Sequence, residues 1–169
     1  MTSNEINFPR TGLGRRLASW VYDALVVVAF SMVTTVLFLF SVQGLISLEV
    51  LKLGNAIDVS DLIESNLILE SIRGILLIGV NCAFFVYFWT KGGQTIGMRS
   101  WRLKVQNLDG SNISIKQGII RAFCSLLGLG NLLVVIDFKN KRALQDYAAN
   151  TEMVTLTKEE NKRIYQSMD

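Results

Sequence analysis

An α-helical integral membrane protein with a small β-structure outside the bilayer is the fold class this sequence predicts, and three observations carry the prediction. Half of the 169 residues are apolar and only 18% are charged. The apolar residues gather in three blocks instead of recurring at the period of a soluble core. From Leu17 to Leu48 there is one charged residue in 32, and it is Asp23. About 20 helical residues suffice to cross the roughly 30 Å hydrocarbon core of a bilayer.

The first block therefore predicts a span at about residues 17–40. It is longer than the roughly 7–15 residues of a signal-peptide core, contains an Asp and lacks a clear small-x-small cleavage site, which disfavours a cleaved signal. On a helix advancing about 100° per residue, Arg16, Ser19, Asp23 and Thr34 fall within about 40° of one line. A carboxylate in a span costs about 2.5–3.5 kcal/mol on insertion scales, so Asp23 should face protein or water and have a partner. Residues 49–73 follow as an acidic loop, with five acidic and two basic residues. Leu and Ile spacing from Val59 to Ile72 predicts a short amphipathic helix there, capped from Asp58 or a neighbour.

The second span is expected at about residues 72–90, where Gly74 to Thr90 gives 17 residues without charge. Tyr87 and Trp89 near its end suit an interface belt. Asn81, its strongly polar group, fits a helix-to-helix hydrogen bond, or a place on a solute path. Between Lys91 and Lys116 the chain turns polar and basic. Trp101, Leu103 and Val105 alternate with Arg102 and Lys104, and a turn at Leu108-Asp109-Gly110-Ser111 follows. This predicts a cytoplasmic β-hairpin at about residues 99–116, with Asn112 to Ile115 as the return strand. Glu152 to Thr157 alternates similarly and is a candidate third strand.

The third block, about residues 118–137, has only 15 residues between Arg121 and Asp137 without charge, interrupted by Gly128-Leu129-Gly130-Asn131. Fifteen helical residues reach about 22 Å. Two arrangements fit: a broken, re-entrant pair of half-helices, or an ordinary third span that includes a charge. Basic residues before the first span, after the second and after the third block place all three segments, and the N-terminus, in the cytoplasm if the third block enters and leaves on one side. Residues 156–169 form a polar tail. Cys82 and Cys124 read as small buried hydrophobes. The sequence contains no histidine.

Three motifs then stand in order: Arg16-Leu17-Ala18-Ser19-Trp20-Val21-Tyr22-Asp23; Gly92-Gly93-Gln94-Thr95-Ile96-Gly97-Met98-Arg99 with Leu103-Lys104-Val105 and Asp109-Gly110; and Arg142-Ala143-Leu144-Gln145-Asp146-Tyr147-Ala148-Ala149-Asn150-Thr151. Together they resemble the RDD family of small bacterial integral membrane proteins, over about residues 12–155. The resemblance implies that Arg16, Asp23 and Asp146 are the naming arginine and aspartates, and that the chain sits in a bacterial inner membrane. Family members often carry His where this chain has Gln145, so a titrating His–Asp pair is not expected. They often carry Gly where Asn150 stands, and Asn tolerates the left-handed end of a helix.

Arg16 and Asp23 are about 10 Å apart along the helix, too far to pair directly. Arg121 is the expected partner for Asp23, with Ser125 one turn later sharing the contact. Asp146 is expected within reach of Arg16 or Arg99. Such ion pairs can simply fix helix packing. Alternatively, Asp23 is a proton- or cation-linked site tuned by Arg121, with Ser19, Ser31 and Thr34 along a path.

The resemblance and the intramembrane Asp point to transport of a cation or small solute, with Asp23 as the proton-coupling group. The alternative is a non-transporting accessory or assembly subunit that binds another membrane protein. Without His, a cysteine cluster, a phosphate loop or carboxylates placed for acid–base work, no catalytic residue, metal or cofactor is expected. The expected neighbours are the bilayer, anionic lipid headgroups and further copies of the chain or another membrane protein, and not nucleic acid.

Overall fold

The computed structural model describes residues 8–137 and 139–166. Two helices dominate it: α1, Leu13–Ser47, and, after a short helix α2 at Val59–Ser65, α3, Leu67–Lys91. The single proline of the chain, Pro9, lies before α1, so nothing in either helix interrupts its backbone hydrogen bonds. Both helices are long and apolar enough to cross a membrane, and only 6% of each apolar window is buried. Leu25, Met32, Phe40, Ile68 and Ile75 all point outward. Helices apolar on every side belong in a protein core or in lipid, and little protein covers these.

Chain contacts divide the molecule into two compact units, one of residues 26–83 and one of the residues up to Leu25 together with those from Phe84 on. In the first unit, Asn81 Nδ2 donates to Ser31 Oγ at 3.1 Å, the helix-to-helix hydrogen bond expected of it. Asp58 caps α2 by accepting from the Asp61 N–H at 2.9 Å. The helix expected to continue to Ile72 instead breaks at Asn66, whose side chain accepts from the N–H groups of Ile68 and Leu69 and so opens α3. Val42 and Ile63 are buried here.

The second unit holds the rest: α4 (Ile96–Ser100), β1 (Leu103–Asn107), α5 (Ile115–Cys124), a 3₁₀ stretch (Leu126–Leu132), α6 (Leu133–Ile136), α7 (Leu144–Ala148), β2 (Thr151–Thr155) and α8 (Lys158–Gln166). The strands pair antiparallel, with Leu103 opposite Thr155 and Asn107 opposite Thr151. The expected hairpin is thus corrected. The turn at Leu108 to Ser111 forms, with the Asn107 N–H donating to the Ser111 carbonyl, but the chain after it does not return as a strand. Ser114 and Gln117 make a reciprocal capping box that starts α5. The partner of β1 is the segment first considered as a third strand. The other edge of β2 is taken by Pro9 to Thr11, through Thr155 N–H to the Pro9 carbonyl and Thr11 N–H to the Met153 carbonyl, each 2.9 Å. Trp89, Met98, Leu103, Val105, Ile113 and Met153 form the apolar core of this unit.

The third apolar block is broken, as its glycines suggested. Its legs, Ile115–Cys124 and Gly128–Ile136, meet at 85°. Gly128 sits at the bend with φ +100°, a conformation that favours glycine, and a side chain there would strike the Trp20 indole at 2.7 Å. The residues from Lys158 form a helix where only a polar tail was expected. Cys82 and Cys124 are free and half-buried.

Candidate functional site

The most buried charges in the second unit converge on Asp146. Its Oδ2 lies 2.7 Å from Arg16 Nη2 and its Oδ1 lies 2.8 Å from Arg121 Nη1, with all three side chains almost completely buried. Asp146 is placed by the first turn of α7, where its carboxylate also accepts the Ala143 N–H at 2.9 Å. Arg16 comes from the second turn of α1 and donates further to the carbonyls of Thr11 and Lys141. Arg121 comes from the inner face of α5, donates to the Thr151 hydroxyl, and lies over the Trp89 ring at 5.3 Å. Arg142 adds bonds to the carbonyls of Asp146 and Thr151.

Two guanidinium groups therefore share one carboxylate, in a setting where a single unpaired charge would be costly. Burial by itself would raise the pKa of Asp146. The positive charges of Arg121 and Arg16 outweigh it and hold the carboxyl below its ordinary value. The cluster ties α1, α5, α7 and β2 together, and its members come from residues 11 to 151 of the chain.

Asp23 lies elsewhere, and the expected pair with Arg121 does not form. Its Oδ2 accepts the Thr95 hydroxyl at 2.6 Å and its Oδ1 accepts the Gly97 N–H at 2.8 Å. Ser19, one turn earlier on α1, is a third hydrogen-bonding partner and is itself buried. These described partners are all neutral. The contact requires glycine at position 97, because a side chain there would stand 2.3 Å from the Ser19 carbonyl and 2.9 Å from the Asp23 carboxylate. Arg121 is unavailable to Asp23 because α5 turns it toward α7 and β2.

The remaining expected residues separate. Ser125 does not share an Asp23 contact; its hydroxyl donates back to the Ala122 carbonyl. Thr34 likewise donates to the Phe30 carbonyl one turn behind it, and Asn81 bonds Ser31. Backbone satisfaction of this kind is the ordinary use of hydroxyls inside a membrane helix. Of the two arginines expected near Asp146, Arg16 is the one that donates to it; the Arg99 guanidinium lies over the Phe88 ring at 5.8 Å.

Thr95, Thr151 and Gln145 carry contacts that sequence reasoning did not assign. Thr95 had a signal, since a Thr two residues before Gly97 suits a helix N-cap, and it caps α4 through the Met98 N–H. Gln145 is buried and donates to Asn131 Oδ1 at 2.8 Å, joining α7 to the bent segment. Asn150 has φ +52° and ends α7, the tolerance for the left-handed region expected of it.

A sequence model described as RDD family matches residues 10–150, which include Arg16, Asp23, Thr95, Gly97, Arg121 and Asp146. No curated protein and no solved structure matches the chain.

Proposed function

Since the chain belongs to the RDD family, we propose that it is an integral membrane protein that moves a cation or small solute, with Asp23 as the group that takes up and releases a proton or cation. The observation that carries this reading is the company Asp23 keeps. Its carboxylate is buried on an apolar helix and its described partners are a hydroxyl, a backbone N–H and a serine, none of which is charged. A carboxylate so placed is made neutral by binding a proton or a cation, and alternation between the two is the chemistry of a coupling site. The Asp146 cluster holds its own counter-charges and braces α1 against α5, α7 and β2.

The helices of one chain leave their apolar windows uncovered, with 6% buried in each. A path for a solute therefore implies several copies, or another membrane protein, packed against these faces. The same exposure supports the second reading, an accessory subunit that binds another membrane protein and carries no solute.

The test is a pH-gradient assay in proteoliposomes with Na⁺, K⁺ and Li⁺, comparing the wild type with Asp23→Asn. Asparagine keeps the volume, can still accept from the Gly97 N–H and can donate to the Thr95 hydroxyl. Cation-dependent loss of the gradient with the wild type and at least a tenfold slower loss with the folded variant is the expected result. Equal rates for both proteins would remove Asp23 from the mechanism. No flux by the folded wild type would favour the accessory reading.

A further inference from the structure

We propose that the bent segment from Ile115 to Ile136 is an interfacial anchor: both legs lie within one leaflet of the membrane, with their exposed apolar edge in the acyl region and the flanking lysines against anionic phospholipid headgroups.

The first support is where the segment begins and ends. At its start, Gln117 donates to Asn107 at the end of β1, at 2.7 Å, and to the Ala149 carbonyl. At its end, Asp137 accepts from the Tyr147 hydroxyl on α7, and the Lys141 carbonyl just beyond accepts from Arg16. Both ends are therefore fastened to the same small unit around β2. A crossing segment would deliver its ends to opposite faces of a core roughly 30 Å thick. Legs of ten and nine residues set at 85° separate those ends by only about 20 Å.

The second support is the inverted polarity of α5. Arg121 and Gly118 face inward and are buried, whereas Ile115, Ile119 and Phe123, spaced four apart on the opposite side, are exposed, Phe123 to 65%. Leu129, Leu132 and Ile136 continue the outward edge along the second leg, Ile136 to 79%. A re-entrant loop that dips toward the midplane needs protein around it; none of the described residues covers this edge. An amphipathic helix in the plane of the interface buries such a face to a depth of about 5–10 Å.

The third support favours lipid over a second copy. The bend rests on Trp20 of α1, at Gly128, and Trp20, Val21 and Leu25 are themselves exposed, so the outward edge adjoins a lipid-facing stretch of helix. Exposed Lys116 leads into the segment, and exposed Lys139 and Lys141 lead out of it. Two copies joined across this edge would bring rims of the same sign together, while anionic headgroups neutralise them.

The experiment places nitroxide labels singly at Ile119, Phe123, Leu129 and Ile136, in protein carrying Cys82→Ala and Cys124→Ala and reconstituted in phosphatidylglycerol–phosphatidylcholine vesicles. Collision with oxygen and with a water-soluble nickel chelate reports the depth of each label. All four labels are expected at similar, shallow depth, and Lys116→Cys and Lys139→Cys are expected to react with an impermeant maleimide from the same side. Reaction from opposite sides, or a label at the bilayer midplane, would overturn the proposal in favour of a crossing or re-entrant segment. Labels shielded from both reagents and coupled magnetically between copies would overturn it in favour of self-association. In phosphatidylcholine alone the labels should become more accessible to the nickel chelate, and an unchanged depth profile would reject the role of the anionic headgroups. None of these outcomes depends on whether the protein transports.

Discussion

Asp146 is costly for the fold to lose, because its removal strands two charges at once. Asp146→Asn keeps the size of the side chain but leaves Arg16 and Arg121 buried without a counter-charge. Breaking a buried pair from one side costs about 3–5 kcal/mol, so the variant should unfold at clearly lower denaturant in detergent. An unchanged midpoint would mean that the arginines find water in the wild type as well. The pairing of Asp146 with Arg16 was legible in the sequence as one of two options; the place of Arg121 beside it and the partners of Asp23 were not. Arg121 was assigned to Asp23 because a re-entrant third block leaves the two at nearly the same depth. Which way α5 faces is decided by Gln117, Trp89 and Thr151, residues distant in the chain, and that rotation gives Arg121 to Asp146. The true partners of Asp23 were in view as part of a motif, yet a backbone N–H at Gly97 leaves no trace in residue type beyond the glycine itself.

Among the elements, the long helices were the easiest to read and the β-structure the hardest. The alternation from Trp101 to Val105 correctly marked a strand, and the alternation near Val154 marked its partner. The error lay between them, where a good turn was taken to imply a hairpin. Ser114-Ile115-Lys116-Gln117 is a capping-box sequence, and that local helix signal outweighs the weak strand propensity of Asn112 to Ile115. Ser114→Ala removes the acceptor of the Gln117 N–H and one half of that box. A loss of about 1 kcal/mol is expected, visible as faster amide hydrogen exchange in the first turn of α5 while β1 and β2 keep their protection. Equal acceleration in the strands would instead mean that the cap supports the whole unit.

For the molecule as a whole, acid should act chiefly through the buried carboxylate that two arginines share, since the other depressed carboxylates, Asp109 and Asp137, lie at the surface. Asp146 has its pKa depressed in the folded protein, so the stability it contributes is fully present above the ordinary carboxylate value near 4 and is lost as pH falls through the folded value. The unfolding midpoint of the wild type should therefore hold from neutral pH to about pH 4 and fall below it, with Asp146→Asn showing a flatter profile from a lower start. Parallel profiles for the two proteins would assign the acid sensitivity to other carboxylates. The placement of Pro9 to Thr11 along β2 also bears on how the protein is made. Arg10 bridges to Val154, and Arg16 waits for Asp146, a partner 130 residues further along the chain. At about 5–20 residues per second of synthesis, the first helix can enter the membrane on the order of ten seconds before its own anchor exists. Until then the two arginines stay solvated at the aqueous surface, where their charge holds that end of the helix back from the bilayer. The β unit closes only once β2 has been made, so a truncated product lacking β2 would keep its membrane helix and lose the lock on it.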